Sequence, residues 1–283
     1  MITAYFNGKF LPKDEIKISP EDRGFMFADG IYEVVRWYKG FFYDMESHLS
    51  RMKRSMKELN IVWAEEDSFP TIAGDLININ GLRQKHALVY IQITRGVAPR
   101  THDFPSPAVT PTVYAHANSF MPNTSQIING IGVLLKKEIR WSRCDIKSLA
   151  LLPNTLNFHE AVENGFQECI FIRDGLITEG SHSNIFFVID GTLFTHPESN
   201  NILSGVTRKN ILRIAREAGI TVEEVAVSES MIENINEAFV TNTGDEVTPV
   251  VKMGKYVVGN GHPGPLTISI WEKFQNETDT LKG

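Results

Sequence analysis

Glu168-Cys169-Ile170-Phe171-Ile172-Arg173-Asp174-Gly175 and Asn184-Ile185-Phe186-Phe187-Val188-Ile189-Asp190-Gly191 decide the fold class of this chain. Each is an apolar run of strand length that ends in Asp-Gly, a dipeptide that tolerates positive φ and closes a tight hairpin. Part of the sheet is therefore antiparallel. Around these runs, Ile131–Leu135, Val222–Val227 and Ala238–Thr241 read as further strands. Leu156–Asn164 after Pro153, Thr207–Ala218 and Pro265–Phe274 read as helices, the second with Ile211, Leu212 and Ala215 as its apolar face. Neither an internal repeat nor a low-complexity segment interrupts them.

The upstream part reads in the same way. Ala4-Tyr5-Phe6 and Lys9-Phe10-Leu11 flank Asn7-Gly8, and Ile31–Tyr38 and Phe41–Tyr43 flank Lys39-Gly40, so two hairpins are expected. Asp44 is placed to cap a helix carrying Leu49, Met52, Met56 and Leu59, and Gly81 to end a second over Phe69–Asn80. Ala87–Thr94 and Thr112–Ala117 read as strands joined by a proline-rich loop over Arg95–Pro107. Periodicity stops over Asn118–Ser125, which reads as a linker. The expectation is an α+β protein with a small α/β domain over 1–120 and a larger one over 121–283.

Composition narrows the function classes. With 42% hydrophobic and 22% charged residues in 283, the chain is neither disordered nor fibrous. A net charge of −6 lacks the basic excess of a nucleic-acid binder. Cys144 and Cys169 are too few for a disulfide framework, no His/Cys spacing suits zinc, and no metal is expected. Apolar runs such as Ile185–Ile189 are far too short to span a membrane. Met1-Ile2-Thr3-Ala4-Tyr5 has no leader pattern, so a cytoplasmic protein is expected.

Four constellations could carry chemistry. Leu203-Ser204-Gly205-Val206-Thr207 feeds a helix start whose free N–H groups and positive dipole end suit a phosphate. Arg140-Trp141-Ser142-Arg143-Cys144-Asp145-Ile146-Lys147-Ser148 sets a lysine among apolar neighbours and arginines, where a Schiff-base amine would be activated. In Arg95-Gly96-Val97-Ala98-Pro99-Arg100-Thr101-His102, residues two apart point the same way, so Arg100 and His102 can converge on one carboxylate. Thr178-Glu179-Gly180-Ser181-His182-Ser183-Asn184 offers an acid beside a glycine that permits close approach. Singly, each has a plainer reading: an ordinary helix cap, a solvated lysine, a chance basic pair, an exposed turn acid.

Together and in order, they resemble the fold-type IV pyridoxal-phosphate enzymes, most closely the D-amino-acid aminotransferases. The resemblance begins at Asp22-Arg23-Gly24-Phe25-Met26-Phe27-Ala28-Asp29-Gly30-Ile31-Tyr32-Glu33-Val34 and passes through His48-Leu49-Ser50-Arg51-Met52. It continues through the Arg100/His102 loop, Cys144–Leu149 and the Glu179 turn to Leu203–Arg208, essentially the whole chain.

The resemblance implies a mixed sheet or barrel in the larger domain, a pyridoxal 5'-phosphate cofactor, and roles for particular residues. Lys147 matches the lysine that bonds the cofactor as a Schiff base and moves the substrate Cα proton. Glu179 matches the acid that keeps the pyridine nitrogen protonated. Arg51, Val206, Thr207, Asn242 and Thr243 match the phosphate cradle, although relatives tend to carry serine where Asn242 stands. Arg140 is placed near the ring hydroxyl, and His48 reads as scaffold. Tyr32, Arg100 and His102 match the trap for the substrate α-carboxylate.

In that family the Arg/His loop comes from a neighbouring subunit, so a homodimer is implied. D-amino acids of the alanine or glutamate type, with 2-oxo acids such as pyruvate or 2-oxoglutarate, are the implied substrates. Branched-chain L-aminotransferases, aminodeoxychorismate lyases and (R)-amine transaminases share the scaffold, and the Arg100/His102 pair argues against them. A binder that has lost catalysis would not need both Lys147 and Glu179. His182 and Ala150 depart from the relatives' usual small and polar residues and leave the side-chain preference open.

Overall fold

The computed structural model describes residues 2–281. The chain divides into two compact units, one of residues 2–121 with 146–150, the other of 122–145 with 151–281. Lys147 thus belongs to the first unit, although more than twenty residues before it belong to the second.

The first unit is built on β1 (Thr3–Phe6), β2 (Lys9–Pro12), β3 (Gly30–Tyr38), β4 (His86–Thr94) and β5 (Thr112–Ser119), with the short helix α1 (Arg23–Phe27), α2 (Met45–Glu58) and α3 (Phe69–Ile79). Its sheet runs β2-β1-β5-β4-β3, antiparallel throughout. Asn7 and Gly8 both take positive φ, 45° and 86°, as the first hairpin requires. The Asp44 side chain accepts the Ser47 N–H and caps α2, and Gly81, at φ 65°, follows the end of α3. Ile31 and Val35 of β3, Val89, Ile91 and Ile93 of β4 and Ala115 of β5 join Met52, Met56, Leu76 and Ile77 of the two helices in one apolar core. Phe41–Tyr43, expected as a strand, contributes only the isolated bridge of Trp37 to Phe42. The chain turns there into the capped start of α2 before a ladder can grow.

The second unit holds α4 (Thr124–Asn129), β6 (Ile131–Lys137), α5 (Leu152–Glu163), β7 (Glu168–Arg173), β8 (Leu176–Gly180), β9 (Asn184–Ile189), β10 (Thr192–Thr195), α6 (Val206–Glu217), β11 (Val222–Glu223), β12 (Glu237–Asn242), β13 (Glu246–Met253), β14 (Tyr256–Val257) and α7 (Pro265–Thr280). Strands β9-β12-β13-β6-β7-β8 pair in that order and β8 returns to β9, closing a six-stranded barrel of mixed direction. Ile170, Ile177, Ile185, Phe187, Val240 and Val250 pack in its core. Both Asp-Gly pairs form hairpin turns with positive φ. β13, not expected from the sequence, contains Pro249, a residue that argues against a central strand. The ladder tolerates it, and shifts register between Val250 and Lys252 where β13 meets β6. β11 stops at Glu223 rather than running to Val227, because the next side chain, Glu224, turns to Arg208 and Arg216. No helix among the described residues is long and apolar enough to cross a membrane.

Candidate active site

β3 is the edge strand of its sheet, and the segment carrying Lys147 lies along that open edge. The Tyr32 N–H donates to the Lys147 carbonyl at 3.0 Å and the Leu149 N–H to the Gly30 carbonyl at 3.0 Å. Gly30 makes this approach possible, since a Cβ there would come within 2.8 Å of Leu149 Cδ1 and 2.6 Å of the Ile93 carbonyl oxygen. The Lys147 Nζ stands 4.2 Å from the centre of the Tyr32 ring, a cation–π distance. Among the described residues, that ammonium has no hydrogen bond or carboxylate partner. Arg140 and Arg143, expected beside it as charges, are each committed to carboxylates of the second unit. Tyr32 in turn stacks on Tyr90 at 5.8 Å, and the Tyr90 hydroxyl donates to Gln92.

The neighbouring position on β3 faces the other way. Glu33 is fully buried and accepts from Arg51 Nε at 2.9 Å and from the second Arg51 nitrogen at 2.6 Å. His48 Nδ1 lies 3.0 Å from the same carboxylate. Burial opposes the charge on Glu33, but Arg51 and His48 overcome it and hold the carboxyl far below its ordinary range. Burial keeps His48 below its ordinary value despite Glu33. Glu33 escaped the sequence reading. A lone acid at an inward position of an otherwise apolar strand was the available signal.

Arg100 and His102 lie on a bent segment rather than an extended one, and the Phe27 ring is the neighbour they share. Both are exposed, and both lie against the Phe27 ring, Arg100 at 5.1 Å and His102 at 5.8 Å. Among the described residues, the Arg100 guanidinium has no carboxylate partner.

In the second unit, Glu179 is the penultimate residue of β8 and is buried. Its Oε1 accepts from Arg140 at 2.7 Å, and its Oε2 from the Leu203 N–H at 2.9 Å and Asn184 Nδ2 at 3.1 Å. Burial nevertheless pushes the carboxyl up to about 7, with Arg140 pulling against it. Arg140 is clamped by Glu138 and lies over the Phe171 ring at 4.3 Å. The turn after Glu179 is gathered by a second buried acid, Glu168, which accepts from Ser181 and Ser183 hydroxyls and lies 3.1 Å from His182 Nδ1. Neither Glu168 nor Asn184 was singled out from sequence, because their roles come from cross-strand pairing.

Helix α6 starts at Val206 and Thr207 with Gly205 as its N-cap and no side-chain cap. A Cβ at Gly205 would strike Asn184 Oδ1, so the glycine is required by the Asn184 side chain beside the helix start. Asn242 is turned on its own loop, accepting the Gly244 and Asp245 N–H groups and donating to Asp245, and Thr243 follows it half-buried. Ala150 is exposed.

These groups fit the parts of pyridoxal phosphate one by one. An uncapped helix start offers N–H donors to a phosphate. A buried carboxyl raised by desolvation gains from a protonated ring nitrogen as neighbour. A lysine with no carboxylate partner among the described residues can offer its amine for covalent bonding once it gives up its proton.

Residues 30–253, most of the chain, match the family described as Amino-transferase class IV. Over 276 residues the chain is 40% identical to a D-alanine aminotransferase of Staphylococcus haemolyticus, covering 97% of each. It is 37% identical over 272 residues to a D-alanine aminotransferase of Bacillus licheniformis, covering 96% of this chain and 95% of that one. The solved branched-chain amino acid aminotransferase of Escherichia coli superposes with a TM-score of 0.90 at 25% identity, over 97% of this chain and 93% of that chain.

Proposed function

We propose that this chain, which belongs to the class IV aminotransferases, moves the amino group of a D-amino acid to a 2-oxo acid with pyridoxal 5'-phosphate as cofactor. When bound, the cofactor supplies an aldehyde carbon that condenses with amines and a ring that takes up the electron pair left at Cα. The remaining work falls to side chains. Lys147 Nζ would hold the cofactor covalently, and as a free amine would take the proton from the substrate Cα. Glu179 holds a proton at the ring nitrogen, and Arg140 and Asn184 keep its carboxylate in place. Val206 and Thr207 at the start of α6, with Arg51, Asn242 and Thr243, hold the phosphate. Tyr32, Arg100 and His102 grip the substrate carboxylate, the last two reaching a neighbouring subunit in a homodimer.

The observation that supports the D-specific reading most is that Arg100 and His102 both lie near the Phe27 ring, with no carboxylate among the described residues to neutralise Arg100. A carboxylate clamped at one place fixes which enantiomer turns its Cα–H toward a lysine on one face of the bond being broken. The 37–40% identity to D-alanine aminotransferases supports the same substrate class. The likeness to a branched-chain enzyme gives the second reading, and it rests on the shared fold. A panel of D- and L-alanine, glutamate and leucine, each with pyruvate or 2-oxoglutarate, separates them. D-Alanine or D-glutamate turning over well ahead of the L-forms is expected, and a preference for L-leucine would replace this reading with the other.

A further inference from the structure

Asp22–Asp29 is part of the motif that carries the family resemblance, yet none of its side chains has a place in the chemistry above. Its contacts lead to the Arg100/His102 loop. Arg23, buried at the start of α1, donates from Nε to Asp29 at 2.8 Å and from one terminal nitrogen to the carbonyls of Thr101 at 2.8 Å and Asp103 at 3.3 Å. Those two carbonyls lie on either side of His102. Asp29 is shared with Arg95, which also lies over the Phe104 ring at 3.6 Å. At the other end of α1, the Phe27 ring takes the Arg23 guanidinium at 4.8 Å, Arg100 at 5.1 Å and the His102 ring at 5.8 Å.

We propose that Phe27 and Arg23 are positioning residues for substrate recognition: Arg23 fixes the backbone around His102, and the Phe27 ring is the platform that aims Arg100. The inference rests on the reading that Arg100 and His102 hold the substrate carboxylate. An exposed arginine on a loop loses several rotatable bonds' worth of freedom when it grips an anion. A ring face that attracts the guanidinium without neutralising it restricts that freedom beforehand and leaves all five N–H donors for the ligand. A carboxylate in the place of Phe27 would orient Arg100 equally well but compete with the substrate. Phe27 therefore acts on binding of any carboxylate-bearing partner, amino donor and 2-oxo acceptor alike, and not on proton transfer.

Steady-state kinetics of the holoenzyme with D-alanine and 2-oxoglutarate test this. Phe27→Leu keeps apolar bulk and removes the ring face, and Phe27→Tyr restores it. Phe27→Leu should raise KM for both substrates by roughly two- to fivefold, the range of an exposed cation–π contact, with kcat and the cofactor absorbance unchanged. Phe27→Tyr should return KM to the parent value. In an Arg100→Ala background, Phe27→Leu should have a clearly smaller effect, since the part it exerts through Arg100 is already lost. Arg23→Met, which removes the donors to both carbonyls, should raise KM in the same pattern. Full additivity of Phe27→Leu and Arg100→Ala, or a fall in kcat with KM unchanged, would overturn the inference. If Arg100→Ala itself leaves KM unaltered, the carboxylate reading fails first, and the two failures are thereby told apart.

Discussion

Glu33 and Arg51 form a two-point ion pair in the interior of the first unit, 2.6 and 2.9 Å long, with His48 on the same carboxylate. The pair joins β3 to α2, so the strand that carries Tyr32 and the helix that carries Arg51 are fixed to each other by charge as well as by apolar packing. Removing one partner strands the other without a counter-charge. Glu33→Ala should cost about 3–5 kcal/mol in urea unfolding, whereas Lys53→Ala, which breaks a solvent-screened pair with Asp67, should change it far less.

The same pair makes stability depend on acid. Glu33 and His48 both have folded-state values below their ordinary ones, so the unfolded chain binds more protons than the folded one. Stability should therefore fall as pH drops, first through 6.5 as unfolded His48 protonates, then through 4.5 for Glu33. Thermal unfolding between pH 8 and pH 3.5 measures it. In a Glu33→Gln/His48→Gln variant the contribution of these two groups should vanish, and an unaltered slope would count against the assignment.

Lys147 bears directly on the proposed chemistry. Lys147→Ala should bind pyridoxal phosphate without a covalent bond and lose transamination almost entirely. Borohydride reduction of the parent followed by peptide mapping should place the label on Lys147. A label on Lys136, Lys137 or any other lysine would end the assignment.

Glu179 responds to the opposite end of the pH scale. Its carboxyl is raised from 4.5 to about 7 by burial, so the folded state holds its proton longer than the unfolded chain does. The stability this gives is complete below pH 4.5 and is lost as pH rises through about 7. In cofactor-stripped protein the loss should be of the order of 3 kcal/mol, and it should be absent in Glu179→Gln. In the loaded enzyme, Glu179→Gln should lower kcat severely with little change in Tm, because the ring nitrogen loses the charge that keeps it protonated. Activity within a few-fold of the parent would remove Glu179 from that role.

Much of this was legible in the residues. Asp174-Gly175 and Asp190-Gly191 gave two antiparallel hairpin turns of the second unit because only a few residue types tolerate positive φ. The Asp44 cap and the three- and four-residue steps of Leu49, Met52 and Met56 gave α2. What escaped depended on contacts distant in sequence. β13 was not expected, and its place between β12 and β6 is fixed by neighbours on both sides. Glu33 and Glu168, quoted only as parts of longer stretches, have Arg51, His48, Ser181 and Ser183 around them through contacts far away in sequence. The Phe27 ring that Arg100 and His102 share as a neighbour was not legible, since more than seventy residues separate the ring from the loop.

The proposed assembly can be tested through the same loop. If Arg100 and His102 serve the neighbouring subunit's site, an Arg100→Ala chain spoils its partner's site, whereas a Lys147→Ala chain spoils its own. In a heterodimer of the two, the site containing the Lys147→Ala lysine position also faces the altered loop, and the other site carries neither change. Either homodimer should be nearly inactive at D-alanine concentrations well below the parent KM, since charge-assisted bonds to a desolvated carboxylate contribute ~1.5–3 kcal/mol each. Purified heterodimer should recover about half of the parent's activity under those conditions, as one intact site in two requires. Were the loop to serve its own chain instead, every site of the heterodimer would carry one lesion. No activity would then return, and the cross-subunit trap would be excluded.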